Sequence, residues 1–428
     1  MERLANQQVA PRNEHRVEFP HLGRGARYLM IVAGAALALV FVVSARLATW
    51  YGIWRPLYVD GPSMWPALRG PHEQVTCEQC GAKFRAIMDP RLGGMDSDIR
   101  CPGCGAVAPT AREHVWVVGD RVLVDSAAYR RSVPRRGDVV AIARSETDVE
   151  VKRIIGLPGE QITLAEGDLW VDGQRYQKSA SELNAVAFRI DRVTEFDDRS
   201  AEQKDTTRRW QWAPDQWRSI VDGWQAEGQG QDSLIVYRHE SYWRGKDDSD
   251  IGQPVFDDYP WNQSELRALQ PADDLAVRFR LSNVSRADVL VVQIWSRGEP
   301  WTLVIDRPVA GDWLVARCDG RWLITRGDRQ VPAGDLPRHE ERPIHVSPST
   351  PVAFGGEFAA GARLTDVGVY RDLVLAGPTG MVEPFAVERL GERQYFVLGD
   401  NLPASLDSRR EPGGVPLDRI LGRVVPWR

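Results

Sequence analysis

Cysteine is scarce in this sequence, which holds five in 428 residues. So few cysteines do not make the disulfide-rich scaffold of a small secreted protein. Four of them form two Cys-x-x-Cys pairs, and Cys318 stands apart from both. The stability of the chain as a whole must therefore come from apolar cores, which a hydrophobic content of 43% allows.

An excess of positive charge is also lacking. Lysine and arginine number 54 against 59 aspartates and glutamates, which gives a net charge of −5. No basic tract stands out along the chain. Because nucleic-acid binding relies on a basic patch or stripe, no nucleic-acid partner is predicted.

Long apolar runs are rare, and one stands out near the N-terminus. Residues 28–45 carry no charge and would form a helix of about 27 Å, close to the thickness of the hydrocarbon core. Trp50, Tyr51 and Trp54 follow, as in an interfacial aromatic belt. We predict a transmembrane helix over 28–50. The alternative is a cleaved signal peptide.

The residues before this run predict its orientation. The polar segment 1–27 contains several arginines, and the positive-inside rule favours a cytoplasmic location for such a tail. Everything after residue 50 would then lie outside. The sequence thus predicts a single-pass protein of the cell (inner) membrane, with membrane lipid as one partner.

The two cysteine pairs lie in a segment, 71–111, that interrupts the pattern around it. Each pair is followed by glycine, so each fits a tight turn with backbone amides near the sulfurs. Together they offer four thiolates, the ligand set of a structural Zn²⁺ in a zinc ribbon, namely Cys77, Cys80, Cys101 and Cys104. Two disulfides are the alternative, because an oxidising exterior permits them.

Elsewhere the pattern predicts strands. Short apolar runs with glycine and proline between them occupy 112–180 and 386–428, and no long helical period interrupts them. Between these parts, residues 181–385 contain strongly alternating runs, for example 275–281 and 289–295, which predict a β-sandwich-like insertion. The part before residue 270 is polar and rich in tryptophan, and we assign no element there. The predicted fold is mainly β.

Three short stretches carry potential chemistry. The first holds Ser63 between two prolines, and the second holds Lys152 before a Gly-Leu-Pro-Gly-Glu run. The third is the polar block 399–409. A serine hydroxyl needs a neighbouring base, and none of the histidines lies in these stretches. Lys152 can serve if its apolar neighbours favour the neutral amine. The strand period turns Arg153 the other way, towards solvent.

These stretches resemble the motifs of the type I signal peptidase family, over roughly 55–70, 115–180 and 390–428. The resemblance implies a β domain anchored by one transmembrane helix, with no cofactor for catalysis. It makes Ser63 the nucleophile and Lys152 the general base. The supporting residues that it implies are Ser405 to orient the lysine amine, Asp407 and Arg409 as an ion pair, Asp400 and Asn401 as turn-formers, and Met64 near the substrate cleft.

By resemblance, the chain is expected to be a membrane-bound serine endopeptidase that removes signal peptides from exported preproteins. The oxyanion would accept a hydrogen bond from the Ser63 backbone N–H. Gly61 stands where some family members carry a hydroxyl, so a second donor stays unassigned. The alternative is an inactive membrane-anchored binding protein. The expected segments are a tail 1–27, a membrane helix 28–50, peptidase parts 51–70, 112–180 and 386–428, a zinc ribbon 71–111 and the insertion 181–385.

Overall fold

The computed structural model divides the chain into two compact units, residues 1–54 and 55–428. Cys80 and Cys104 and the polar tail before residue 24 lie outside the residues that the structure describes. Those described are 24–50, 52–79, 81, 83–87, 98–102, 105–109, 113–130, 132–192, 209–228, 233–240, 253–331, 342–378, 384–410 and 414–427.

The first unit contains helix α1, Arg24–Trp50, as the apolar run predicts. Its segment Tyr28–Leu47 has a mean hydropathy of 2.4. By length and composition it is the one helix in the described part of the chain that could cross a membrane. The helix begins at Arg24, four residues before the predicted start.

The second unit is mainly β, as predicted. Its strands are β1 (Trp54–Tyr58), β2 (His72–Thr76), β3 (Lys83–Ala86), β4 (Val115–Val117), β5 (Arg121–Asp125), β6 (Val139–Ala143), β7 (Val149–Gly156), β8 (Ile162–Ala165), β9 (Asp168–Val171), β10 (Gln174–Arg175), β11 (Phe188–Arg192), β12 (Trp210–Gln211), β13 (Trp217–Ile220), β14 (Gly223–Ala226), β15 (Ser233–Tyr237), β16 (Leu275–Ser282), β17 (Val289–Ser296), β18 (Glu299–Asp306), β19 (Gly311–Cys318), β20 (Arg321–Arg326), β21 (Arg329–Gln330), β22 (Val352–Glu357), β23 (Arg363–Arg371), β24 (Phe385–Val387), β25 (Gln394–Leu398), β26 (Val415–Pro416) and β27 (Ile420–Pro426). A short helix α2, Ala180–Val186, follows β10, and two 3₁₀ turns cover Leu402–Ala404 and Leu417–Arg419.

One sheet organises the predicted peptidase parts. Its strand order is β1-β5-β27-β6-β7-β25-β26, so the first and last parts of the chain pair side by side. Strand β7 lies between β6 and β25, antiparallel to both. A smaller sheet, β10-β9-β8-β24, also joins distant parts of the chain. As a result, the strand with Lys152 adjoins the strand that leads into the 399–409 block.

Two further sheets hold the insertion. Their orders are β13-β14-β23-β16-β19-β20-β21, with β11 on β23, and β12-β15-β22-β17-β18. One buried apolar cluster contains residues from both sheets, such as Trp224 and Val277 from the first and Tyr237 and Phe354 from the second. The tryptophan-rich part, which the sequence leaves unassigned, supplies β12 to β15, and its Trp210, Trp217 and Trp224 lie in this core.

The cysteine segment forms a small sheet of its own, β3-β2-β4. Alternation along β2 and β3 buries Val75 and Phe84 on one face. These side chains share a core with Ile99, Cys77 and Cys101. Strand β4 pairs with β2, so this sheet also takes residues from beyond the predicted end of the segment at 111.

Buried charges join the insertion to the predicted peptidase strands. Arg297 of the insertion donates to Asp168 of β9 at 2.5 Å. Lys178 lies 2.9 Å from Asp372 and also bonds Asp319. Burial raises the pKa of Asp372 to about 6. Three carboxylates, Asp168, Asp274 and Asp319, come within 4.8 Å of one another here, and we assign them to this network because the cations lie among them.

Candidate active site

Ser63 lies in a turn that its neighbours hold in place. The Trp65 N–H donates to the Pro62 carbonyl at 3.2 Å, and the Leu68 N–H donates to the Met64 carbonyl at 2.9 Å. Met64 and Trp65 are each only 1% exposed. Met64 packs with the core that includes Val124, so it supports the turn from inside the fold. We call residues 59–68 the nucleophile loop.

Strand β7 brings Lys152 to this loop. Its Nζ lies 3.3 Å from Ser63 Oγ, within hydrogen-bonding distance. Lys152 pairs with Val140 of β6, and its side chain is 5% exposed. The structure therefore brings together the two residues that the resemblance pairs, although they are 89 positions apart in the sequence.

Two opposing effects act on the Lys152 amine. Its burial disfavours the charged ammonium. Glu150 favours it, because a carboxylate oxygen lies 3.9 Å from Nζ. The same oxygen of Glu150 is 2.8 Å from Arg144 Nε, so part of its charge is already compensated. A lysine base at this position therefore depends on burial outweighing one shared carboxylate.

The prediction that Arg153 faces solvent was wrong. Arg153 is 6% exposed, and its Nε and Nη2 each donate to a carboxylate oxygen of Asp400 at 2.7 Å. Burial alone would lower the pKa of Arg153, but the Asp400 carboxylate outweighs it and raises that pKa. The period-2 argument failed because the second half of β7 is buried on both faces. Arg153 is thus a site-supporting residue that the sequence reasoning missed.

Asp400 and Asn401 do more than form the expected turn. Asp400 closes the ion pair with Arg153. The Asn401 N–H donates to the Ser63 carbonyl at 2.9 Å, and its side-chain Nδ2 donates to the Pro62 carbonyl at 3.1 Å. Asn401 is fully buried. The block after β25 therefore holds the backbone of the nucleophile loop on both sides of the serine Cα.

Ser405 lies close to the nucleophile loop. A Cβ added at Gly399 would come within 2.4 Å of both Ser405 Oγ and the Ser63 carbonyl oxygen, so only glycine fits between them. Ser405 is buried, and its Oγ makes no hydrogen bond within the described ranges, Lys152 included. Its role in orienting the lysine amine stays a prediction.

Asp407 and Arg409 form the ion pair that the resemblance implies. Arg409 Nε and Nη2 donate to the two Asp407 oxygens at 2.8 and 2.9 Å. Arg409 Nη2 also donates to the Leu402 carbonyl at 2.7 Å, and Asp407 accepts from the Gly399 N–H at 3.2 Å. Both ends of the 399–409 block are thereby fixed to each other.

The two described cysteines of the pairs have matching surroundings. Gly81 donates its N–H to the Cys77 carbonyl at 2.8 Å, and Gly105 does the same to Cys101 at 2.8 Å. Both glycines have left-handed backbones, with φ of 71° and 74°. Cys77 and Cys101 are buried and line one cavity of about 160 Å³. The two turns therefore face each other across a common space.

Comparison with known proteins agrees with these motifs. A model of the family "Signal peptidase, peptidase S26" matches residues 107–217 and 376–427, which include Lys152 and Ser405 but not Ser63. The unmatched stretch between the two segments covers most of the two-sheet insertion.

Curated relatives match over shorter stretches. The chain is 29% identical over 75 residues to the "Probable signal peptidase I-2" of Synechocystis sp., which is 16% of this chain and 34% of that protein. It is 31% identical over 71 residues to the "Signal peptidase I" of Leptolyngbya laminosa (14% and 35%). It is 29% identical over 76 residues to a "Signal peptidase IB" of Staphylococcus aureus (18% and 40%).

The matched stretches therefore span between a third and two fifths of the length of these relatives. The family model itself covers the strand that carries Lys152 and the 399–409 block. On the shared motifs and on these matches, the chain is similar to the type I signal peptidase family, peptidase S26, over these segments.

Proposed function

We propose that this chain is a membrane-bound serine endopeptidase that removes signal peptides from exported preproteins. The observation that carries the proposal is the 3.3 Å separation of Lys152 Nζ and Ser63 Oγ. A serine with a lysine in hydrogen-bonding distance has the nucleophile and base that acyl transfer requires. The family supplies the substrate class, since the relatives bear the name signal peptidase.

In the proposed reaction, the neutral Lys152 amine accepts the Ser63 proton as Oγ attacks the scissile carbonyl. The oxyanion of the tetrahedral intermediate accepts a hydrogen bond from the Ser63 N–H. The lysine ammonium then gives its proton to the leaving amine, and an acyl-enzyme remains. Water attacks this ester with Lys152 again as base, which releases the signal peptide and restores the serine. No metal or organic cofactor enters any of these steps.

Two single substitutions test the proposal. Ser63→Ala and Lys152→Ala should each abolish cleavage of a preprotein by the full chain in detergent. The matched controls are Ser181→Ala and Lys83→Ala, because both side chains are exposed and lie outside the nucleophile loop and β7. Unchanged cleavage by Ser63→Ala would contradict the proposal and favour the inactive binding protein.

We propose that α1 anchors the chain in the cell membrane with a cytoplasmic N-terminus. Its apolar length supports a span, and the arginines before it support the orientation. Protease added to intact spheroplasts should digest the body after residue 50 and spare the tail. Protection of the body would reverse the orientation.

We propose further that the 71–111 segment is a zinc ribbon. The matching turns at Cys77 and Cys101 and their shared cavity support it, because each Cys-x-x-Cys pair offers two thiolates and four close a tetrahedral shell. Cys80 and Cys104 would complete the set. A closed four-thiolate shell gives the metal a structural role and leaves it no position for substrate.

Elemental analysis should find one zinc per chain. A chelator should open the segment to proteolysis while hydrolysis at Ser63 largely persists. Mass spectrometry that finds two disulfides among the four cysteines, with no zinc, would favour the oxidised alternative. Cys318 serves as an internal reference, because it is buried in the insertion and outside the proposed site.

For residues 181–385 we propose a β-sandwich-like domain. The two sheets that share one apolar core support this architecture. Eight of its aromatic residues, among them Trp210, Trp224 and Phe354, lie in that core, which favours a packing role for these eight. Circular dichroism of the full chain should report predominantly β structure.

A further inference from the structure

A loop of the insertion reaches the active site. Residues 257–270, which we call the wedge loop, leave the two insertion sheets before β16. Two hydrogen bonds close the loop at its base. The Asp257 N–H donates to the Gln270 carbonyl at 2.9 Å, and the Gln270 N–H donates to Asp257 Oδ1 at 2.8 Å. Arg267 Nη1 adds an ion pair to Asp257 at 2.8 Å. Hydrogen bonds and an ion pair therefore tie the two ends of the loop to each other.

The tip of the wedge loop lies between the nucleophile loop and the cysteine-bearing sheet. The ring of Trp261 packs against Trp65 with centroids 5.5 Å apart. Ile87 donates its N–H to the Trp261 carbonyl at 2.6 Å, and Arg100 donates its N–H to Gln263 Oε1 at 2.9 Å. The insertion thus contacts both the nucleophile loop and the cysteine-bearing segment.

Asn262 makes the contact that matters most for the serine. It is fully buried, and its Nδ2 donates to Asn401 Oδ1 at 2.8 Å. Asn401 Nδ2 donates back to Asn262 Oδ1 at 3.0 Å and also donates to the Pro62 carbonyl. Because Asn401 can reach Pro62 only with its nitrogen on that side, the two amides fix each other's orientation.

We propose that Asn262 is a positioning residue for catalysis, which acts through Asn401 on the nucleophile loop. The inference rests on the proposed peptidase function. Asn401 holds the Ser63 carbonyl with its N–H and the Pro62 carbonyl with its side chain. Removal of the Asn262 amide leaves Asn401 Oδ1 without its donor and takes away one of the two acceptors of Asn401 Nδ2. The Asn401 amide is then no longer fixed in the orientation that reaches Pro62, and the nucleophile loop can move Ser63 Oγ away from Lys152.

On this account, the insertion completes the active site instead of merely being attached to it. The family model leaves residues 218–375 unmatched, so the relatives' shared pattern does not include Asn262. The contact joins residues 139 positions apart. The insertion therefore contributes Asn262 to the active site, although no motif in its sequence predicts this.

The test compares the full chain with Asn262→Ala in detergent, using a preprotein or signal-peptide substrate. We expect kcat to fall about 10- to 100-fold, because small displacements of a reacting group have effects of this size. KM should change less than about twofold, since no substrate contact is removed. Asn184→Ala is the matched control: this exposed asparagine of the insertion lies on α2. Thermal melting of each variant corrects the rates for the folded fraction.

A double substitution separates positioning from general destabilisation. If Asn262 acts through Asn401, Asn262→Ala combined with Asn401→Ala should be no slower than Asn401→Ala alone. Additive losses, or a wild-type kcat in a folded Asn262→Ala protein, would overturn the proposal.

Amide hydrogen exchange gives a readout that needs no activity. In Asn262→Ala, exchange should become faster at 59–66 and 397–405 and stay unchanged in β17. If the wild-type chain and Ser63→Ala are equally inactive, the peptidase function fails, and exchange still decides whether Asn262 holds the loop. Unchanged exchange at both segments would refute the contact.

Discussion

The buried ion pair between Arg153 and Asp400 allows a quantitative prediction. The side chains are 7% and 3% exposed, and two hydrogen bonds of 2.7 Å join them. Asp400→Asn leaves the guanidinium buried with a neutral partner. Removal of one member of a buried pair costs about 3–5 kcal/mol, because the remaining charge is not compensated. We expect the free energy of unfolding to fall by about that amount.

Denaturant unfolding of the isolated full chain, followed by tryptophan fluorescence, measures this change. Asp312→Asn is the matched control, because its pair with Arg280 is as short, 2.6 Å, yet both side chains are more than half exposed. Water already screens that pair, so its loss should leave stability unchanged. The reasoning would be refuted if Asp400→Asn were as stable as Asp312→Asn. A replacement of both members by apolar residues should recover much of the loss.

Three further predictions concern other parts of the unit. Burial raises the pKa of Asp274 to about 7, so the folded chain holds a proton there that the unfolded chain loses near pH 4. The free energy of unfolding should therefore fall as the pH rises from 4 to 7. Asp274→Asn should melt at a higher temperature than the wild type at pH 8 but not at pH 4. Gly399→Ala should abolish cleavage and lower the melting temperature, because its methyl group would overlap the Ser63 carbonyl; normal activity would contradict that packing. Gly61→Ser should be tolerated, since a Cβ there meets nothing within 4 Å, and should raise kcat if its hydroxyl reaches the oxyanion; a loss of activity would argue against an open position.

The candidate site could largely be predicted because its chemistry lies in short motifs. Ser63, Lys152 and the 399–409 block each have a specific local pattern, and the family resemblance assigns their partners from these motifs alone. The ion pair of Asp407 and Arg409 is present at bonding distance. Strands such as β16 and β17 were also predictable, since the apolar runs 275–281 and 289–295 lie within them.

The supporting contacts could not be predicted in the same way. The strand period predicts an exposed Arg153, yet its side chain is buried in an ion pair with Asp400, which is 247 residues away. Asn262 lies in a polar stretch without periodicity. Its proposed role depends on a hydrogen bond to Asn401, 139 residues later. Local patterns carry no information on such pairings. The strands β12 to β15 were missed for a related reason, because they are short and their tryptophans give no clear period.

The most direct measurement compares cleavage rates of Ser63→Ala, Lys152→Ala and the double variant on one preprotein. A nucleophile and its base act as a unit, so we predict that the three variants share the same residual rate. A double variant much slower than either single variant, or a Lys152→Ala protein that cleaves at the wild-type rate, would contradict the dyad.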